Sequence, residues 1–152
     1  MGNSDKKMIG FTGIGVGAKQ VKFTISSRIE LINEAVVRAV EFASEMGFSD
    51  DDIFGIDMAV RETVANAVKH GNELDESKNV EVTLESGQEG LEITVRDFGA
   101  GFKVEDVPDP TNPENLLKEN GRGILFMQNF VNTVEWHNHP EGGMLVKLFK
   151  IL

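Results

Sequence analysis

Apolar and polar residues change places along this chain with two distinct periods, and the switches between them outline the elements. Val21-Lys22-Phe23-Thr24-Ile25 alternates, as a strand with one buried face does. Ile29, Ile32, Val36, Ala39, Val40 and Ala43 then recur at three and four residues, the spacing of a core-facing helix that Ser26 or Ser27 caps and Gly47 stops after Met46. A second helix starts at Ser49-Asp50-Asp51-Asp52, where acids sit at the positive end of its dipole, and runs to Gly71. Its sheet-facing side holds Ile53, Ile56, Val60, Val64 and Ala67. Val80 to Leu84 and Leu91 to Val95 alternate on either side of Gly87-Gln88-Glu89-Gly90, which predicts an antiparallel hairpin.

The C-terminal third predicts a short apolar helix from Gly123 to Val131 and strands at Thr133 to Trp136 and Met144 to Lys150, joined by His139-Pro140-Glu141-Gly142-Gly143. Between Phe102 and Asn120 lie Pro108, Pro110 and Pro113 among Asp, Asn and Glu, a loop too long to be a mere connection. Met1 to Ala18 carries Gly2, Gly10, Gly13, Gly15 and Gly17 and reads as a flexible arm, with a short strand at Met8 to Phe11. Gly13-Ile14-Gly15-Val16-Gly17 superficially suggests a phosphate loop but lacks the Lys-Ser/Thr that must follow one. The expected organisation is an arm over 1–18 and a single domain over 19–152. Its fold class is α+β, a two-layer α/β sandwich with a mixed, mostly antiparallel sheet and helices on one face.

Charge narrows the choice of partners. Lys plus Arg number 15 against 25 Asp plus Glu, a net charge of −10, which opposes nucleic acid and anionic lipid and suits a basic protein partner. The chain has no cysteine, so it offers neither disulfides nor thiolate metal ligands. No stretch approaches the roughly 18 apolar residues of a membrane span, and the polar N-terminus has no signal-peptide pattern. The expected location is the cytoplasm.

Three blocks carry candidate chemistry. Glu62 and Asn66 are four residues apart on the second helix, opposite its core face. A solvated face would explain a lone Glu and Asn, but Met58, Ala59 and Ala65 share that side. Mg²⁺ takes oxygen ligands and needs only one or two protein groups beside phosphate oxygens, so the Asn66 carboxamide suffices as an anchor. Glu62, one turn earlier, can accept the proton of an attacking hydroxyl. Asp97 ends an alternating strand and is followed by Gly99 and Gly101. That block is either a simple turn or a carboxylate that accepts from the exocyclic amine of adenine, with glycines letting the backbone approach the base. Gly121-Arg122-Gly123 opens a helix whose first amides form an anion site to which Arg122 adds charge. Lys69, three residues beyond Asn66, can also reach a phosphate. No His/Cys/Asp cluster has zinc spacing.

Glu62-Thr63-Val64-Ala65-Asn66-Ala67-Val68-Lys69-His70-Gly71-Asn72, Asp97-Phe98-Gly99-Ala100-Gly101 and Gly121-Arg122-Gly123 resemble, in that order, the N, G1 and G2 boxes of the GHKL ATPase superfamily. Within it, the first block together with Gly121-Arg122-Gly123-Ile124-Leu125-Phe126-Met127 looks most like the bacterial anti-sigma factor serine/threonine kinases. The resemblance covers about Phe23 to Lys150. It implies the Bergerat-type ATP-binding fold, ATP and Mg²⁺ as cofactors, and a serine/threonine protein kinase that sequesters a sigma factor and phosphorylates an anti-anti-sigma protein. It also implies Glu62 as the catalytic base, Asn66 as the Mg²⁺ ligand, Asp97 as the adenine reader with Gly99 and Gly101 around the base, and Gly121, Arg122 and Gly123 under the phosphates. Phe102 to Asn120 takes the place of an ATP lid, and the family's tendency to form homodimers comes with the resemblance. Where the family usually places Gly-Thr near the last strand, this chain has Gly143-Met144. The competing reading is a regulatory module that binds ATP and grips a partner without catalysing transfer.

Overall fold

The computed structural model of the chain describes residues 19–100 and 127–152. Five strands, β1 (Gln20–Ser26), β2 (Asn79–Ser86), β3 (Gly90–Arg96), β4 (Thr133–Asn138) and β5 (Met144–Ile151), form one sheet in the order β1-β2-β3-β5-β4. Every neighbouring pair is antiparallel. Two helices, α1 (Ile32–Met46) and α2 (Asp50–Asn66), form the second layer. The sandwich expected from the alternating segments is therefore present, and its described strands are antiparallel throughout.

The alternation explains which face the helices cover. Phe23 and Ile25 of β1, Val80, Val82 and Leu84 of β2, and Leu91, Ile93 and Val95 of β3 are buried in one cluster with Leu148 of β5 and the apolar stripes of both helices. Ile56, Leu84, Leu91, Ile93 and Leu148 are almost wholly enclosed, and each such side chain contributes on the order of 1.5–3 kcal/mol relative to leaving it in water. The opposite face runs Lys22, Thr83, Thr94, Lys147 and Glu135 across the five strands, a polar row that no described helix covers.

Two expectations near α1 change. Ser27 is not a helix cap. It is buried, with its hydroxyl donating to the carbonyl of Lys78 at 2.6 Å, and the chain instead enters α1 through a 3₁₀ turn at Ile29–Leu31. That turn swings Ile29 outward, where it is 54% exposed, so the core stripe begins at Ile32. Gly47 stops the helix as expected, its amide bonding the carbonyls of Ala43 and Ser44.

One carboxylate breaks the polarity of the outer face. Glu92 lies in register between Glu85 of β2 and Phe149 of β5, yet it is only 3% exposed. Burial pushes its carboxyl up from 4.5 to about 7; Lys147 opposes the rise, and Glu85 and Glu135 add to it. The folded state therefore holds this proton more tightly than the unfolded chain. The stability it contributes is complete below pH 4.5 and is lost as pH rises through about 7. Glu92→Gln should accordingly flatten that window and raise stability at pH 8 by on the order of 1–3 kcal/mol. Urea melts of both proteins at pH 5 and pH 8 check this; an unchanged slope between the two pH values would refute it.

Candidate active site

The end of α2 builds one wall of the site. Its start is conventional: the Ser49 hydroxyl accepts from the Asp52 amide at 3.2 Å, and three acids fill the first turn. Its end is not. After Asn66 the helix widens into a π-helical turn, Ala67–Gly71, closed by the Asn72 amide donating to the Ala67 carbonyl at 2.8 Å. Such widened turns concentrate at functional sites because they displace the side chains that follow. Directly beyond, Glu73 and Leu74 take left-handed backbone angles, φ 54° and 61°, a conformation that costs on the order of 1 kcal/mol for a residue with a Cβ. The Leu74 amide donates back to the Val68 carbonyl at 2.8 Å and helps hold that bend. Glu62 and Asn66 stand one turn apart, both half-buried, beside half-buried Met58 and Ala65.

The other wall is the exit of β3. Alternation places Asp97 on the same side as Leu91, Ile93 and Val95, facing the helix layer, and it is 5% exposed. Its amide donates to the Met144 carbonyl at 3.0 Å, which ties it to the first residue of β5. Its Oδ1 accepts from the amides of Gly99 at 3.0 Å and Met144 at 3.2 Å. Burial raises the Asp97 pKa above the usual carboxylate value, and those two amides, with Arg96 and Lys78, pull the other way. The carboxylate is thus fixed by main-chain donors and carries a strong acceptor into an enclosed place. On the other side of the loop, the Arg96 guanidinium lies over the Phe98 ring at 4.2 Å and donates to the Gly142 carbonyl at 3.3 Å.

The two walls touch through glycines. A Cβ on Gly71 would collide with the Asp97 carboxylate, one on Gly99 with the Gly71 carbonyl, and one on Gly143 with the Asp97 carbonyl. Gly143 also has φ 86°, so a side chain there would be strained as well as crowded. Gly71→Ala must push the carboxylate out of its two-amide clamp or part the walls. The expected cost is about 1–3 kcal/mol of stability, read from a urea or thermal melt; a variant as stable as the parent would show that the contact is not tight.

The model of the histidine kinase-like ATPase domain matches residues 25–149, which span α2, the Asp97 loop and β5. The chain belongs to that family. It is 36% identical over 138 residues to an anti-sigma F factor of Heyndrickxia coagulans, covering 88% of this chain and 91% of that one. It is 35% identical over 118 residues to a serine-protein kinase RsbW of Bacillus licheniformis, covering 72% and 71%. The crystal structure of the RsbU and RsbW domains of Rv1364c from Mycobacterium tuberculosis shares the fold, with a TM-score of 0.63, 20% identity, and coverage of 88% of this chain and 32% of that one.

For this histidine kinase-like ATPase domain, the structure brings some of the expected residues together. Asp97 and Gly99 meet Gly71 at the end of the helix that bears Glu62 and Asn66. Lys69 is exposed within the π-helical turn. Gly101, Gly121, Arg122 and Gly123, with Phe102 to Asn120, expected as a lid, and Met1 to Ala18, expected as an arm, lie outside the described residues. Ala59, expected beside Glu62 and Asn66, is instead wholly buried, and its carbonyl accepts from the Thr63 hydroxyl at 2.7 Å. Met127 places its sulfur against that same hydroxyl, so this flank of α2 is a packing surface.

Sequence reasoning missed two contributors. The Met144 amide acts on Asp97 through the main chain, so the side chain that departs from the family's usual Thr gives no sign of it. Asn72 was merely the end of a block, yet its side chain is buried and fully bonded.

Proposed function

We propose that the protein binds ATP with Mg²⁺ between α2 and the β3 exit, holds a sigma factor, and phosphorylates a serine or threonine of an anti-anti-sigma protein. The supporting observation is the Asp97 carboxylate, enclosed, clamped by two amides and set against the end of the helix that carries Glu62 and Asn66. Asp97 accepts from the adenine amine. Glu62 accepts the proton of the attacking hydroxyl as its oxygen bonds the γ-phosphorus and the β–γ bridging oxygen departs with ADP.

Mg²⁺ fits the donors present. Asn66 offers a half-buried carboxamide oxygen, and no cluster of three His, Cys, Asp or Glu among the described residues would compete as a cage. Asn66 would hold the ion, which supplies charge neutralisation at the phosphates. Lys69, Arg122 and the glycines Gly101, Gly121 and Gly123 complete the proposed nucleotide contacts. The relatives named anti-sigma F factor and serine-protein kinase support the partner assignment. The acidic balance favours protein partners over nucleic acid, and none of the described helices is long and apolar enough to cross a membrane. A cytoplasmic homodimer is part of the same reading.

The test is incubation with γ-labelled ATP, Mg²⁺ and candidate antagonist proteins from the same genome. Label should pass to a serine or threonine of one antagonist, chelation of Mg²⁺ should abolish transfer, and Asn66→Ala should weaken Mg²⁺-dependent ATP binding by about tenfold or more. ATP binding and partner capture without transfer would instead favour the regulatory module, the reading toward which Met144 leans.

A further inference from the structure

Three stretches of chain meet at one buried carboxamide: Ser27, the run from the π-helical turn to Asn79, and Phe98. Asn72 is 1% exposed. Its Nδ2 donates to the Ser27 hydroxyl at 2.8 Å and to the Asn79 carbonyl at 3.1 Å, reaching the end of β1 and the start of β2. Its Oδ1 accepts from the Phe98 amide at 2.8 Å, and its own amide closes the π-helical turn on Ala67. Both donor hydrogens and the acceptor are therefore used, and the Ser27 hydroxyl in turn donates to the Lys78 carbonyl.

The Phe98 bond has a different consequence from the others. Phe98 lies between Asp97 and Gly99, and Gly99 supplies one of the two amides that orient the Asp97 carboxylate. Fixing the Phe98 amide fixes the Asp97–Phe98 peptide plane, the anchor from which the next peptide brings the Gly99 amide to Oδ1. The π-helical turn makes this possible. It sets Asn72 under the loop while Gly71, one residue back, faces Asp97 directly. Ser27 and Asn79 hold the carboxamide from behind, away from the Phe98 bond.

We infer that Asn72 is a positioning residue for base recognition: through the Phe98 amide it holds the Asp97 carboxylate at the angle that distinguishes an exocyclic amine from a carbonyl oxygen. This rests on Asp97 reading adenine. A loose loop still leaves room for a purine but no longer meets the amine squarely. Loss of Asn72 therefore weakens discrimination more than it slows transfer.

The experiment measures the affinities of the purified full chain for ATP and for inosine triphosphate, which carries an oxygen where adenine has its amine. The parent protein should favour ATP. Asn72→Ala should reduce that preference about tenfold, the value of one well-made hydrogen bond to a charged acceptor. It should raise KM for ATP by a similar factor while kcat at saturating ATP stays within about twofold. Asn72→Asp, buried and protonated, keeps a carbonyl for Phe98 and a hydroxyl for Asn79 and should restore the preference. Ser27→Ala removes a support of the carboxamide but leaves the Phe98 bond, so it should lower the melting temperature without changing the preference.

A folded Asn72→Ala variant that keeps the parental preference overturns the proposal, as does a Ser27→Ala variant that loses it equally. If Asn72→Ala does not fold, Asn72→Asp decides: retained preference supports the role, and lost preference in a folded protein refutes it. A parent protein that binds both nucleotides equally would instead overturn the reading of Asp97 itself, and this proposal with it.

Discussion

Glu62→Ala is expected to lower phosphoryl transfer about 100-fold or more while ATP affinity stays nearly unchanged. The separation follows from position. Glu62 and Asn66 occupy the same side of α2 one turn apart and share an environment less polar than a free surface, since Met58 and Ala65 beside them are half-buried. A group that accepts the hydroxyl proton acts while the bond to phosphorus forms and holds nothing beforehand, so its loss lowers kcat. In the proposed assignment Asn66 would hold the ion that accompanies the nucleotide, so its loss should lower affinity first. Single-turnover transfer measured with calorimetric ATP binding on both variants separates the effects. Full kinase activity in Glu62→Ala would rule out the base.

The second large effect belongs to Asp97. The protein should bind ATP much more tightly than GTP, because a carboxylate accepts from the amine of adenine and repels the carbonyl oxygen that guanine carries there. Asp97→Asn exchanges a charged acceptor for a neutral one and should weaken ATP binding about tenfold or more. Burial raises the pKa of this carboxylate, so the acceptor disappears on protonation, and ATP affinity should fall as pH drops through that raised value while the variant shows no such dependence. Equal calorimetric affinities for ATP and GTP would defeat the assignment.

Much of this was legible in the chain. Val80 to Leu84 and Leu91 to Val95 declared themselves by period-two alternation, and the same alternation carried two residues further explains why Asp97 faces the helices. Glu62 and Asn66 could be paired because a helix repeats every 3.6 residues. What escaped notice depends on contacts distant in sequence. Ser27 resembled a cap because capping is a local pattern, whereas its actual partners, Asn72 and the Lys78 carbonyl, lie about fifty residues downstream. The π-helical turn has no apolar period of its own. The Met144 amide is a main-chain donor, and every residue but proline has one, so no residue type marks it. Glu92 followed the alternation faithfully and still became buried, because enclosure on the outer face depends on cross-strand neighbours that one strand's pattern does not contain.

The strand order bears on how the protein is made. β5 is the last described strand in chain order, yet it lies between β3 and β4. During synthesis β1, β2 and β3 can pair as they emerge, while β4 has no neighbour to join until β5 arrives and separates it from β3. The Asp97 clamp waits on the same event, since one of its two amides is that of Met144. A nascent chain that already displays Glu62, Asn66 and Asp97 therefore still lacks an oriented Asp97 carboxylate, and the clamp closes only once Met144 has emerged.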